Sequence, residues 1–229
     1  MPQKNKLQKL KEIVQTEMEG ANPSHDFSHI MRVYNLCLSI AKEEKGVDLE
    51  VLKISALLHD IGRKEEDSDK TGKIDHAVLS AKMAEKILKN LNYPKEKIDK
   101  IKHCIETHRF KGKLKPKTIE AKILFDADKL DVCGAIGIAR SACWVGENKA
   151  KIYSDIPLSK YIKENISGGK LPGRIIDSSK HALNITYKIK LKNIQKKLFT
   201  KKAKQIAAER IKFTKQFFER LEKEIKGKI

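Results

Sequence analysis

The sequence predicts an all-α fold, and two observations carry that expectation. Apolar residues recur at three- and four-residue spacing through nearly every long stretch, and nothing alternates with period two for long. Glycine (12) and proline (6) are sparse and cluster between those stretches, where they act as punctuation rather than as turns of a sheet. The 229 residues suffice for one domain with a substantial core, or one domain with a helical extension.

In chain order the helices are expected over roughly 5–19, 28–45, 48–61, 74–91, 95–108, 117–143 and 180–226. Asp48 stands before LEVLKISALL and Asp75 before HAVLSAKMAEKIL, where a carboxylate can accept the orphan N–H groups of a first turn. Pro94 opens KEKIDKIKHCI at a position where its missing N–H costs nothing. Gly62 terminates the run that ends in HDIG. Residues 144–179 break the periodicity with glycines and prolines and read as a long loop. The final helix carries Ile206, Ile211, Phe213, Phe217, Phe218 and Leu221, too much apolar surface to stand alone, so it is expected to pack on the core or to form a homodimer.

No apolar run approaches the ~18 residues of a membrane span, and the charged N-terminal stretch lacks the apolar segment of a secretory signal. Cys37, Cys104, Cys133 and Cys143 form no CxxC pair, which fits reduced thiols and a cytoplasmic location. Charge is uneven: residues 151–229 hold 21 Lys and Arg against 7 Asp and Glu. A nucleic-acid partner is one reading of that tail. A solvated lysine-rich helix surface is preferred, because lysine heavily outnumbers arginine and few aromatics lie among the lysines.

Seven histidines, six of them before residue 110, carry the functional question. His59 and Asp60 follow directly on Ile54, Ala56, Leu57 and Leu58, and a buried carboxylate is costly unless paired, hydrogen-bonded or bound to a metal. In HDFSHIMRVYNL, His29 falls in the first turn of a helix whose Val33, Leu36 and Ile40 face the core. In KILFDADKLDVCGAIGIA, helical phase puts Asp128 on one face with Leu124, Asp131 and Ala135, whereas Asp126 lies about 200° away. Three helices thus bring His29, His59 with Asp60, and Asp128 toward one place. Such nitrogen and oxygen donors suit Mn²⁺, Fe, Co²⁺, Ni²⁺, Mg²⁺ or Zn²⁺ without selecting among them.

These residues resemble the HD-domain metal-dependent phosphohydrolases, defined by His, then His-Asp, then Asp on an all-α core. The resemblance covers about residues 20–145, and HDFSHIMRV, ALLHDIG, KIDHAVLSA, IETHRFKG and DADKLDVCGAIGIAR look most like the small stand-alone bacterial and archaeal members. It implies that His29, His59, Asp60 and Asp128 are metal ligands, and that the activity is hydrolysis of nucleotides, nucleoside triphosphate pyrophosphohydrolysis among them. HDIGR is also similar to the HDIGK of cyclic-dinucleotide phosphodiesterases, but the Gly-Tyr-Pro signature of those enzymes is missing.

A divalent ion acidifies bound water and neutralises phosphoryl oxygens, so phosphoester or phosphoanhydride hydrolysis suits this donor set. Arg63 and Lys64 follow the His-Asp pair and are the first choice for holding phosphate, ahead of Arg109. His76 and His108 are chosen as further catalytic residues over His103, which stands about 140° from His108 on a helix. Glu65, Glu66 and Asp67 could orient water, Asp126 and Asp131 could hold a ligand imidazole, and Asp26 and Ser28 read as helix-start caps. The expected protein is therefore one all-α HD-type domain with a basic C-terminal helical extension, acting on a small phosphorylated molecule. A non-enzymatic metal- or nucleotide-binding regulator and a nucleic-acid-binding module are the alternatives.

Overall fold

The computed structural model describes residues 3–69, 71–109, 114–191 and 194–229. Helices α1 (Gln3–Glu17), α2 (Phe27–Ala41), α3 (Leu49–Leu58), α4 (Arg63–Ser68), α5 (His76–Asn90), α6 (Lys95–Glu106) and α7 (Ile119–Leu130) come first. They are followed by α8 (Gly134–Glu147), α9 (Leu158–Asn165), α10 (Leu183–Thr186) with a π turn over Tyr187–Leu191, and α11 (Lys201–Ile225). Among the described residues there is no β-strand, only isolated bridges from Lys151 to Ala182 and from Ile166 to Ile175. The fold is all-α. No helix of the described residues is long and apolar enough to cross a membrane.

Two compact units divide the chain: Met1–Asp131 with Leu198–Ala203, and Val132–Lys197 with Lys204–Ile229. In the first, α2 packs on α3 and α7, α3 on α6 and α7, and α5 on α6. The buried residues Ile30, Val33 and Ile40 of α2 belong to the same core as Leu52, Ile54 and Leu57 of α3, Ile101 and Ile105 of α6, and Ile123 and Leu124 of α7. Each such side chain contributes about 1.5–3 kcal/mol by leaving water. The expected caps form, with Asp26 accepting from His29 N, Asp48 from Glu50 N and Val51 N, and Asp75 from Ala77 N. Pro94 sits one position earlier than expected, as the residue preceding α6. In the second unit Tyr161, Ile166, Ala182 and Ile185 form one apolar cluster, and Phe218 of α11 packs with Val145 and Leu183 in another.

The structure corrects three boundaries. The expected helix over 117–143 is two helices, because α7 ends at Leu130 and Gly134 opens α8 at φ +75°, a left-handed conformation that glycine adopts without penalty. The expected loop over 144–179 contains α9 and two short 3₁₀ turns. The expected helix over 180–226, part of which (192–193) lies outside the described residues, is broken into α10 with its π turn, a 3₁₀ turn over Ile194–Lys197, and α11, which starts at Lys201. Its start is set by a distant residue: the buried Asp126 carboxylate accepts from Phe199 N, Thr200 N and Thr200 Oγ1, and Thr200 Oγ1 in turn accepts from Ala203 N. No disulfide joins the four cysteines, of which Cys143 is exposed and the other three are buried.

Candidate metal centre

Five helices of the first unit deliver the cluster at their ends. His29 lies in the first turn of α2, His59 and Asp60 follow α3, His76 opens α5, His108 follows α6, and Asp128 lies in the last turn of α7. Gly62 lets α5 come this close. A Cβ there would stand 2.9 Å from Leu79 Cγ and 3.1 Å from Ser80 N, and the Gly62 N–H donates to Ser80 Oγ at 3.0 Å. The rings run in a row, with centroids 5.3 Å apart for His29 and His59, 5.2 Å for His59 and His108, and 5.2 Å for His108 and His76.

Every one of these imidazoles has its Nδ1 engaged away from the cluster. His59 Nδ1 faces Ala56 O at 2.8 Å and His108 Nδ1 faces Ile105 O at 2.6 Å, acceptors that require an Nδ1–H. His29 Nδ1 faces Asp131 Oδ2 at 2.7 Å and His76 Nδ1 faces Glu66 Oε2 at 2.6 Å. In the neutral rings this leaves the four Nε2 atoms as lone-pair donors pointing at one another and at two carboxylates. His29 and His59 Nε2 are 3.4 Å apart, and His76 and His108 Nε2 are 3.2 Å apart.

Two groups result. His29, His59 and Asp128 form one, with His29 Nε2 3.6 Å from Asp128 Oδ1. Asp60, His76 and His108 form the other, with Asp60 Oδ1 at 3.2 and 3.3 Å from the two ring nitrogens. Asp60 spans both, since its Oδ2 lies 3.5 Å from His29 Nε2 and 3.8 Å from His59 Nε2. Facing lone pairs repel unless a cation lies between them. Ligand bonds of about 2.1 Å at octahedral to tetrahedral angles place neighbouring donors about 3.0–3.4 Å apart, close to the spacings observed. Asp60 Oδ1 is buried and makes no hydrogen bond, an acceptor that a divalent ion would satisfy. The residues fit a metal.

The electrostatics agree. Burial pushes the His59 imidazole down to about 4, which keeps it neutral. Burial would raise the Asp60 carboxyl, but the surrounding histidines hold it well below the usual carboxylate range, and Asp128 is likewise lowered against burial by Lys129 and the histidines. Burial also opposes ionisation of Glu66, yet His76, Arg63 and Arg109 bring it down to about 2. The His76 imidazole is raised, because Asp60 and Glu66 outweigh its burial. Both groups therefore favour positive charge at their centre.

His29, His59, Asp60 and Asp128 are brought together as expected from the sequence, and His76 and His108 join them. These last two, expected as catalytic groups, stand with Asp60 in a group that could hold a metal ion. His103 is elsewhere, accepting from Lys117 N. Arg63 lies beside the cluster, paired with Glu66 at 3.0 Å and Asp67 at 3.1 Å. Lys64, expected to hold phosphate, is tied instead to the carbonyls of Glu17 and Glu19 at the end of α1, because α4 turns its ammonium that way. Asp131 holds His29, while Asp126, expected as a possible partner of a ligand, faces the other side of α7 and anchors Phe199 and Thr200. Ala135, placed with Asp128 by continuous helical phase, is exposed in the next helix.

Two residues went unnoticed in the sequence. Arg32 binds Asp131 through Nε at 2.9 Å and Nη2 at 3.0 Å, and its position three residues after His29 puts it on the same helical side. Lys129, buried beside Asp128, places Nζ 2.5 Å from Asp128 Oδ2, and nothing in its spacing signals that inward turn.

Residues 26–133 match the family model of the HD domain. The chain belongs to the HD domain family. YpgQ of Bacillus subtilis (strain 168) is 29% identical over 232 residues, covering 99% of this chain and 97% of YpgQ. The solved structure of YpgQ in complex with ADP is similar to this one at a TM-score of 0.71, with 25% identity over 98% and 97% of the two chains. The Lin1889 protein of Listeria innocua matches at a TM-score of 0.70, with 28% identity over 99% and 98%. A predicted HD superfamily hydrolase from an uncultured Thermotogales bacterium matches at 0.63, with 26% identity over 95% and 92%. In this HD domain the two His/Asp groups are positioned to hold divalent metal.

Proposed function

We propose that the protein is a metal-dependent phosphohydrolase acting on a small phosphorylated molecule, namely a nucleotide, with release of pyrophosphate from a nucleoside triphosphate as the reaction. The observation that carries this reading is the convergence of four Nε2 lone pairs with Asp60 and Asp128. His29, His59, Asp60 and Asp128 would hold one ion, and Asp60, His76 and His108 would hold another. Ions held there supply an acidified water and neutralise phosphoryl oxygens. The protein's own contribution is positional: imidazoles fixed in one tautomer, a carboxylate shared between two positions, and an Asp128 side chain with 15% exposure that leaves the cluster reachable. The ADP bound to YpgQ supports a nucleotide as the ligand class here.

The test is hydrolysis of a panel of nucleoside mono-, di- and triphosphates and simple phosphomonoesters with and without Mn²⁺, Co²⁺ or Mg²⁺. Metal-dependent pyrophosphate release from triphosphates is the expected result. Orthophosphate from a monophosphate would instead identify a nucleotidase. Tight binding of a panel member without turnover of any would replace the enzyme reading by a sensing one.

A further inference from the structure

The two groups of the metal centre differ in what supports them from outside. His59 and His108 donate to backbone carbonyls three residues back, acceptors that no side-chain change removes. His29 and His76 lean on carboxylates. Asp131, behind His29, has a side chain 1% exposed and is gripped by the Arg32 fork. Glu66, behind His76, is 18% exposed and rides on α4, a six-residue helix with no buried residue.

What holds Glu66 is ionic. Its Oε2 takes His76 Nδ1 at 2.6 Å and Arg63 Nη1 at 3.0 Å, while its Oε1 takes Arg109 Nη1 at 2.9 Å. Arg109 Nη1 also reaches Asp75 Oδ1 at 2.8 Å, and Asp75 caps the helix that His76 opens. The ring of contacts thus closes on the first turn of α5 and orients one imidazole. An acceptor carried by a short surface helix yields more readily than a buried one, because little apolar contact resists its displacement.

We propose that Glu66 is the positioning residue of the second group, acting through His76 to set the affinity of the ion held by Asp60, His76 and His108, and that this position is the weaker and more exchangeable of the two. The inference rests on the two-ion reading above. Losing the outer partner of a ligand imidazole typically costs about 10–100-fold in metal affinity, and here that loss falls on one position only.

Calorimetric titration of the metal-free full chain with Mn²⁺ tests this. The wild type is expected to show a tight and a weaker site. Glu66→Gln and Glu66→Ala should keep the tight site and weaken the other about 10–100-fold, alanine more than glutamine, while Asp131→Asn weakens the tight one. Thermal melts of the metal-free variants confirm that they fold. Two sites in the wild type with second-site affinity unaltered in both Glu66 variants would overturn the inference alone, as would equal losses at both sites. Uptake of a single ion by the wild type would overturn the two-ion reading and this inference with it.

Discussion

Three aspartates within six residues of α7 and its cap, Asp126, Asp128 and Asp131, should respond to the same Asp→Asn change in three different ways. Asp128 presents Oδ1 to the cluster, so its amide should cost the ion outright. Asp131 accepts from His29 Nδ1 at 2.7 Å and from Arg32 at 2.9 and 3.0 Å; as Asn it no longer carries charge or dictates the tautomer. Its expected cost is about 10–100-fold in metal affinity, or roughly 1.4–2.7 kcal/mol. Asp126 accepts from Phe199 N, Thr200 N and Thr200 Oγ1. An amide placed to keep Thr200 N and Oγ1 on its oxygen turns its NH₂ toward the Phe199 N–H, which loses its 2.9 Å acceptor and keeps only the 3.1 Å contact to the remaining oxygen, while all three donors lose a charged partner. That costs about 1–3 kcal/mol, or roughly 2–12 °C of melting temperature for a chain of this length, with metal affinity unchanged. Chelator-competition titration and calorimetric melting, run on all three variants, separate affinity from stability. Weakened metal binding in Asp126→Asn, or full affinity in Asp131→Asn, would refute the assignment of the two faces of α7.

Chelation of the metal-loaded protein should lower its melting temperature, since an ion at 100 times its Kd adds about 2.7 kcal/mol to the native state; identical melts before and after chelation would argue against a buried centre. Glu66, lowered from 4.5 to about 2, contributes stability that is complete above pH 4.5 and is lost as pH falls toward 2. The stability gap between wild type and Glu66→Gln, read by urea titration without metal, should therefore shrink as pH falls below about 4.5. Lys64→Ala should leave turnover intact and cost about 1 kcal/mol, because its ammonium serves the end of α1; a large fall in kcat with unchanged stability would return it to the phosphate site.

What the sequence determined by itself was whatever one or two helical turns can decide. Apolar spacing yields α1 to α3 and α5 to α7 but not the polar α4, and Asp48 and Asp75 act on N–H groups two and three residues away, so both caps are legible before any fold is known. The His-Asp pair with His29 and Asp128 was legible through its resemblance to a family, and the inward turn of Asp128 through helical phase. Phase failed once the helix ended, which is why Ala135 was placed wrongly. Tertiary structure alone decided the rest. The start of α11 is set by Asp126 across 74 residues, and the tautomer of His29 by Asp131 across 102. Glu66 looks like part of a solvated acidic turn until α5 brings His76 to it. A carboxylate's role depends on which donors reach it, and donors far along the chain arrive only when apolar faces pack and fix the helices beside one another.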